Sequence, residues 1–457
     1  MRLTDPMMMY WSKFRLFVPA LIAAVALGDS TQATHSLTVE EARQLALQFN
    51  RTYLQAREAV NVADANVMIA RAGAFPEINV GGAYTRNFNI PSFFVQVEND
   101  EGETETLEFQ TGFKNSFGAN LSIVQSIWQG GKVFTAWSIA RDFRKYSLAV
   151  EERAAAGVLY NSDVLFFSAL LQRARLEVLR KSYEAASHSL DVVEKQRDQG
   201  VVSEFEVLRA RVEKSNLEPQ ILEAESDLRL ADQRLKSFLG IPLEDTVLLI
   251  EEPLSATIEG LPSPDQLVTT ALDKRPEMRE AEYTRDMRRK AIRIARADYW
   301  PSLSAVAGYD WQAQSDQYTL KENVSRAFTA GLRLNIPIFQ GGRTRGAVTQ
   351  AIAEHNQALL EVQQTRDDIR LEVEQAYDRL LQARQSLETH QNTIALAEEG
   401  LRIANLRYES GVGTLLEVLS AQAALTQARE ILAQATFAFR AAKAGLKLAT
   451  TIDVDRL

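Results

Sequence analysis

After Pro76 the apolar residues fall on even positions (Ile78, Val80, Tyr84, Phe88), while Asn79, Thr85 and Asn87 occupy odd ones. A period of two is that of a strand whose two faces meet unlike surroundings. Three more segments repeat it. Phe113, Phe117, Leu121, Ile123 and Ile127 alternate with Lys114, Ser116, Asn120, Ser122 and Ser126. Leu303, Ala305, Ala307, Tyr309 and Trp311 alternate with Ser302, Ser304 and Asp310, and Phe328, Leu332, Leu334, Ile336 and Ile338 with Thr329, Gly331, Arg333 and Asn335. Each segment reaches the ~9 to 11 residues that cross a bilayer as a strand. Aromatics gather at the helix-proximal ends (Phe75, Trp128, Trp300, Phe339) and further out (Phe88, Phe113, Trp311, Phe328), as two interfacial girdles would. Two soluble hairpins packed on helices would alternate in the same way. The chain, however, offers no other apolar surface large enough to cover both.

Between the strand pairs the period becomes a heptad. Val418, Ala421, Leu425, Ala428, Leu432, Ala435, Phe439, Ala442 and Leu446 keep an unbroken 3,4 spacing, the seam of a coiled coil. The corresponding row in the first half is Val207, Ala210, Lys214, Leu217, Ile221, Ala224, Leu228, Ala231 and Leu235, broken only by Lys214. A longer helix precedes it in the second half, from about Gly342 to Ser410, with Ile352, Leu359, Val373, Leu380, Leu387, Ile394 and Leu401 in one heptad row. At ~1.5 Å per residue it is on the order of 100 Å long, more than a globular domain needs. Alternation of Ala with large residues lets neighbouring helices approach, which favours a barrel of helices over a lone rod. Each long helix ends at a glycine turn, Gly200-Val201-Val202-Ser203 or Gly411-Val412-Gly413-Thr414. Glu206 and Glu417 stand three residues after Ser203 and Thr414, which predicts a capping box at each return. Gly130-Gly131 and Gly341-Gly342 mark the other junction, where strand passes into helix.

These elements occur twice because the chain is written twice. Ala46 to Tyr84 aligns without a gap on Ala271 to Tyr309 at a shift of about 225 positions, and later segments align at about 211. The second shift carries Gly130-Gly131 onto Gly341-Gly342, Phe166 onto Tyr377 and Gly200 onto Gly411. The predicted organisation is a first repeat over 34–239, a linker over 240–262, a second repeat over 263–449 and a tail over 450–457. Each repeat runs helix, two strands, long helix, tip turn and return helix.

This order, with Ser126-Ile-Trp-Gln-Gly-Gly131 matching Pro337-Ile-Phe-Gln-Gly-Gly342, resembles the TolC-like outer membrane efflux protein family over essentially the whole chain after residue 33. The resemblance implies a mainly α protein with membrane β. Internally duplicated coiled-coil helices would form an α-helical barrel in the periplasm, and four strands per chain would join a trimeric 12-stranded β-barrel in the outer membrane. It implies a homotrimer, contact with outer membrane lipid, and an exit duct fed by a periplasmic adaptor and an inner membrane transporter. The tips Gly200 to Ser203 and Gly411 to Thr414 would dock the adaptor. Glu417 matches one carboxylate of the family's periplasmic gate ring, Tyr408 its linking tyrosine, and Glu206 stands where the first-half acidic partner would be. Ser420 occupies the place of a second ring acid, and Leu415 and Leu416 supply no linking arginine. Chain closure agrees: an eight-stranded barrel from two copies would be filled by its own side chains, whereas three copies leave a conduit. The linker and the tail after Ala449 would form a belt around the helical barrel.

Composition narrows the remainder. A net charge of -9 and a pI near 5.3 argue against a nucleic-acid partner. The absence of cysteine removes disulfides, thiolate chemistry and an N-terminal cysteine lipid anchor. Lys13 and Arg15 before the apolar run Leu16 to Leu27, with a small-residue site at Thr31-x-Ala33, predict a signal peptide over 1–33. The run is shorter than the ~20 residues of a spanning helix, and no later segment is read as one. The acidic run Glu98 to Glu108 is expected as an exposed outer loop, a solvated charge run or a cation-attracting vestibule. The four histidines (His35, His188, His355, His390) lack metal-site spacings, and no phosphate loop or nucleophile elbow appears, so neither cofactor, metal nor catalysis is expected. The alternative is a non-transporting periplasmic coiled-coil scaffold or adaptor, which would need neither the strands nor the signal.

Overall fold

The computed structural model describes residues 34–98, 104–251, 253 and 261–452, so the expected signal peptide lies outside the described residues. Strand β1 (Thr34–Leu37) leads into α1 (Val39–Phe49) and α2 (Arg51–Ala72). Strands β2 (Glu77–Arg86), β3 (Ser92–Glu98), β4 (Thr104–Gln110) and β5 (Asn115–Gln129) follow, then helices α3 (Lys132–Asp198) and α4 (Glu204–Leu239). After β6 (Thr246–Leu249) come α5 (Pro264–Lys274), α6 (Pro276–Ala297), β7 (Ser302–Ser315), β8 (Val324–Asn335), α7 (Arg343–Glu409) and α8 (Leu415–Thr450). The long helices α3 and α7 each have 67 residues and the return helices α4 and α8 each have 36. The duplication thus extends to element length.

The helix before each strand pair is broken in two. Arg275 is extended because the following Pro276 disfavours helical backbone there, and Arg275 pairs with Glu277 and Glu372. Asn50 breaks the first helix by capping Thr52 with its side-chain oxygen while its amide donates to Phe238 O at 3.1 Å.

Strands β2, β5, β7 and β8 form one antiparallel sheet in that order. The register places Val80, Leu121, Tyr309 and Phe328 in one cross-strand row, and Ile78, Ile123, Ala307 and Ala330 in the next. Asn79, Ser122, Gly308 and Thr329 share a row on the opposite face. One face is therefore apolar and yet uncovered, with Val80 80% and Phe328 74% exposed. Two details depart from the alternation. A bulge between Ser126 and Trp128 sets Ile127 out of register and brings Trp128 opposite Leu303. The fourth strand ends at Asn335 rather than continuing through Ile338, because Pro337 has no N–H for a ladder bond.

The acidic run is a hairpin and not a simple loop. Strands β3 and β4 pair antiparallel with Phe93 opposite Phe109 and Val95 opposite Leu107, and the two rings stack 5.6 Å apart. Residues 99–103 at its turn lie outside the described residues. The stretch read as linker contributes β6, which pairs in parallel with β1.

Packing among the helices follows the heptads. The row on α8 includes buried Val418, Leu425, Ala428, Ala435, Phe439 and Leu446, and that on α4 buried Val207, Ala210, Leu217, Ala224, Ala231 and Leu235. Lys214, the break in the first row, lies over the Tyr183 ring at 5.3 Å. On α7 the row is buried at Val373, Leu380 and Leu387, where α5 and α8 cover it, while Ile352 is exposed. Contrary to expectation from sequence, α3 does contain a window apolar enough to cross a bilayer. That helix instead packs on α1, α2, α4, α6 and α8, and its buried Asp163 receives Arg43 Nη2 from α1 at 2.7 Å. A carboxylate held this way marks a wall helix of the bundle, since an unpaired one would not be buried.

Candidate functional site at the helical tips

The return helices bring both tip turns to one end of the chain. Val193, Val207 and Ala210 of the first coil pack with Leu415 and Leu419 of the second, with Val202 and Tyr408 against them. Both long helices close with the same backbone motif. Gly200 N–H donates to Arg197 O and Val201 N–H to Gln196 O; Gly411 N–H donates to Tyr408 O and Val412 N–H to Arg407 O. These bonds satisfy carbonyls orphaned at the helix ends and require the left-handed backbone that Gly200 (φ 75) and Gly411 (φ 76) adopt. Val201 and Val412 then stand outward, 70% and 69% exposed. Gly413 is constrained differently: a Cβ there would lie 2.8 Å from Arg407 Cβ and 2.9 Å from Arg407 carbonyl carbon. The first tip carries Val202 at the equivalent position, turned into the apolar cluster.

Neither return forms the expected capping box. Thr414 Oγ1 accepts the Glu417 N–H at 3.3 Å, but the Glu417 carboxylate turns away and takes Arg407 Nε at 3.2 Å. At the first tip the Ser203 side chain makes no cap, and Glu206 N–H is held by Ser203 O instead. The three predicted gate residues do not form one cluster within a chain. Tyr408 donates its hydroxyl to Gln196 Oε1 at 2.7 Å, joining the second coil to the first. Partial burial, and then the nearby Glu206 carboxylate, push the Tyr408 hydroxyl above its ordinary range. Glu417 sits apart from this pair, exposed beside Arg407, and Ser420 is also exposed.

Two residues that the sequence motifs did not single out thus enter the site, Arg407 and Gln196. Arg407 stands immediately before Tyr408 and reaches across the turn of its own coil to Glu417. Gln196 could have been found only through contact, because the repeat shift matches it to Arg407 and not to Tyr408. At the opposite junction Gly131 and Gly342 begin α3 and α7 with left-handed backbone (φ 82 and 84), preceded by Gly130 and Gly341 in the same region. Among the described residues no three of His, Cys, Asp and Glu gather as a metal centre would.

Comparison with known proteins agrees with this architecture. The family model described as outer membrane efflux protein matches residues 42–241 and 267–451. The cation efflux system protein CusC of Escherichia coli is 25% identical over 400 residues, covering 86% of this chain and 82% of CusC. The outer membrane efflux protein BepC of Brucella suis is 23% identical over 433 residues, covering 93% and 89%. Among solved structures, the CmeC outer membrane channel of Campylobacter jejuni superposes with a TM-score of 0.72 at 19% identity, covering 92% of this chain and 88% of that one. The outer membrane protein VceC of Vibrio cholerae gives 0.72 at 17%, covering 90% and 95%. The uncovered apolar sheet face is one that the scaffold alternative would not need. The chain belongs to the outer membrane efflux protein family and is an outer membrane exit duct whose helical barrel stands in the periplasm.

Proposed function

We propose that three copies of this chain close their sheets into one twelve-stranded barrel and their helices into a continuous tunnel. The observation that carries this reading is the open four-stranded sheet, whose edge strands β2 and β8 have unpaired backbone along their outer sides while one face carries an exposed apolar band. Lipid hydrocarbon offers no hydrogen-bond partner to such edges, so in a membrane they must pair with another copy. The duct receives cargo from an inner membrane transporter through a periplasmic adaptor and conducts it passively, without catalysis. Gly200, Val201, Val202 and Ser203, with Gly411, Val412, Gly413 and Thr414, form the adaptor-docking tips; the exposed Val201 and Val412 support this assignment. Tyr408, Glu206 and Glu417, together with Arg407 and Gln196, form the periplasmic gate. The relatives' names range from cation efflux to nodulation, so the likeness does not select a cargo.

Extraction from membranes should require detergent and release a trimer, which runs as such on an unheated denaturing gel and as a monomer after boiling. A detergent-extracted monomer that conducts ions in planar bilayers rules the trimer out. So does a soluble species that needs no detergent.

A further inference from the structure

All four helices that meet the sheet carry a cation in the turn nearest the membrane. Arg71 lies in the last turn of α2 and Arg296 in that of α6, whereas α3 begins on Lys132 and α7 on Arg343, with Arg345 two residues later. At a helix C-terminus a cation complements the macrodipole, but at an N-terminus it opposes it. Neither α3 nor α7 has an acidic residue in its first turn. Helix stability therefore accounts for Arg71 and Arg296 but not for Lys132, Arg343 and Arg345, of which Lys132 pairs with Asp298 and Arg343 donates to Gln340.

Ion pairs between the helices set Lys132, Arg296 and Arg345 near one level. Arg288 of α6 donates to Glu354 of α7 at 2.8 Å, and the two helices run in opposite senses relative to the sheet. Arg296 is about 12 Å nearer the sheet at ~1.5 Å per residue, level with the first turn of α7 and Arg345. The Lys132–Asp298 pair ties the start of α3 to the same level. Arg293, Arg296 and Arg345 are exposed, and among the described residues their side chains make no hydrogen bond or ion pair. Arg293 shares a helix face with Arg296, three residues on. Directly toward the sheet lie exposed Tyr299, Trp300 and Phe339, the start of the apolar band.

We propose that this collar binds the phosphate headgroups of anionic phospholipids in the periplasmic leaflet. Aromatic side chains sit at the headgroup boundary, so cations one helical turn beyond them meet the phosphates themselves. A guanidinium matches a phosphate bidentately, which fits the use of arginine at every collar position but Lys132. The collar is continuous with the lipid-facing sheet, and its charge is complementary to the lipid in a chain that is acidic overall.

Native mass spectrometry of the full-length detergent-solubilised protein tests this, with phosphatidylglycerol and phosphatidylcholine of identical acyl chains offered in equal amounts. The unaltered protein should retain phosphatidylglycerol over phosphatidylcholine by at least about fivefold, a factor that one surface cation supplies. The R293Q/R296Q/R343Q/R345Q variant should lose that preference, and the corresponding lysine variant should keep most of it. Equal retention of both lipids by the unaltered protein overturns the proposal, as does an unchanged preference in the glutamine variant. Displacement of the lipid by glycerol phosphate as effectively as by phosphatidylglycerol would make the collar a site for soluble anions and also overturns it. A glutamine variant whose ion selectivity shifts while its lipid preference stays would place the arginines in the lumen and overturns the proposal as well.

Discussion

Gly413→Val should abolish export while the protein stays abundant, trimeric and in the outer membrane. A Cβ at this position meets backbone, at 2.9 Å from Arg407 carbonyl carbon and 3.0 Å from Tyr408 N, and neither atom can move without undoing the end of α7. The Gly413 N–H also donates to Arg407 O at 2.8 Å, so a shift of the turn loses a hydrogen bond as well. Overpacking of this kind costs roughly 1–3 kcal/mol or more. Most of the barrel does not depend on the turn, because the shared apolar cluster begins at Leu415 and Val193. The damage is thus confined to the tip, the surface proposed to meet the adaptor. Gly411→Val acts by another route: the site is sterically open, but the left-handed backbone costs a non-glycine residue about 1–2 kcal/mol. Its effect on export should have the same sign and be weaker. Val202→Gly, at the first tip's equivalent of Gly413, removes an apolar contact without strain and should be the mildest of the three. Complementation of a strain lacking its own exit duct measures all of them beside immunoblots of unheated trimer. Normal export by Gly413→Val at normal abundance would falsify the docking role of this turn.

What the sequence revealed and what it hid divide along the range of the interactions involved. The four barrel strands were legible because each face meets one medium over its whole length, so the period of two is imposed residue by residue. The long helices were legible for the same reason, since a continuous seam repeats one contact many times. Departures arise where a single backbone group or a distant side chain decides. Ile336 and Ile338 continue the alternation, yet Pro337 between them cannot donate, and the strand stops at Asn335. Phe93 and Val95 alternate against Phe109 and Leu107, but the acidic composition of the run between them obscured the hairpin. At the tips the spacing of Thr414 and Glu417 is that of a capping box. Arg407, reaching across the glycine turn, claims the carboxylate, and no local motif registers that competition. The Lys214 break in an otherwise apolar row has its reason in Tyr183, on another helix. Arg275, in contrast, could have been read as a helix break from Pro276 alone.

The tethers at the second tip lead to a prediction for the gate. Tyr408→Phe removes the hydroxyl that reaches Gln196, the hydrogen bond that joins the two coils of one chain at the tip. A partly buried bond of this type contributes roughly 0.5–1.5 kcal/mol, which corresponds to a shift of about two- to tenfold toward open gates for each chain. Arg407 and Glu417 form a weaker tether, because their side chains are 51% and 43% exposed and solvent screens the pair to about 1 kcal/mol or less. The value of that pair lies instead in charge. Arg407 offsets part of the Glu417 charge, so at the proposed gate Arg407→Ala should leave three carboxylates uncompensated and raise cation selectivity. Glu417→Gln should lower it. Helix capping does not confuse this comparison, since Thr414 caps through the Glu417 backbone N–H, which glutamine retains. Single-channel recordings in planar bilayers under a salt gradient separate the two effects: open fraction reports the Tyr408 tether, and reversal potential reports the carboxylates. If Arg407→Ala and Glu417→Gln move the reversal potential in the same direction, or not at all, Glu417 does not line the gate. If Tyr408→Phe leaves the open fraction unchanged, the bond to Gln196 holds the coils together without closing the channel.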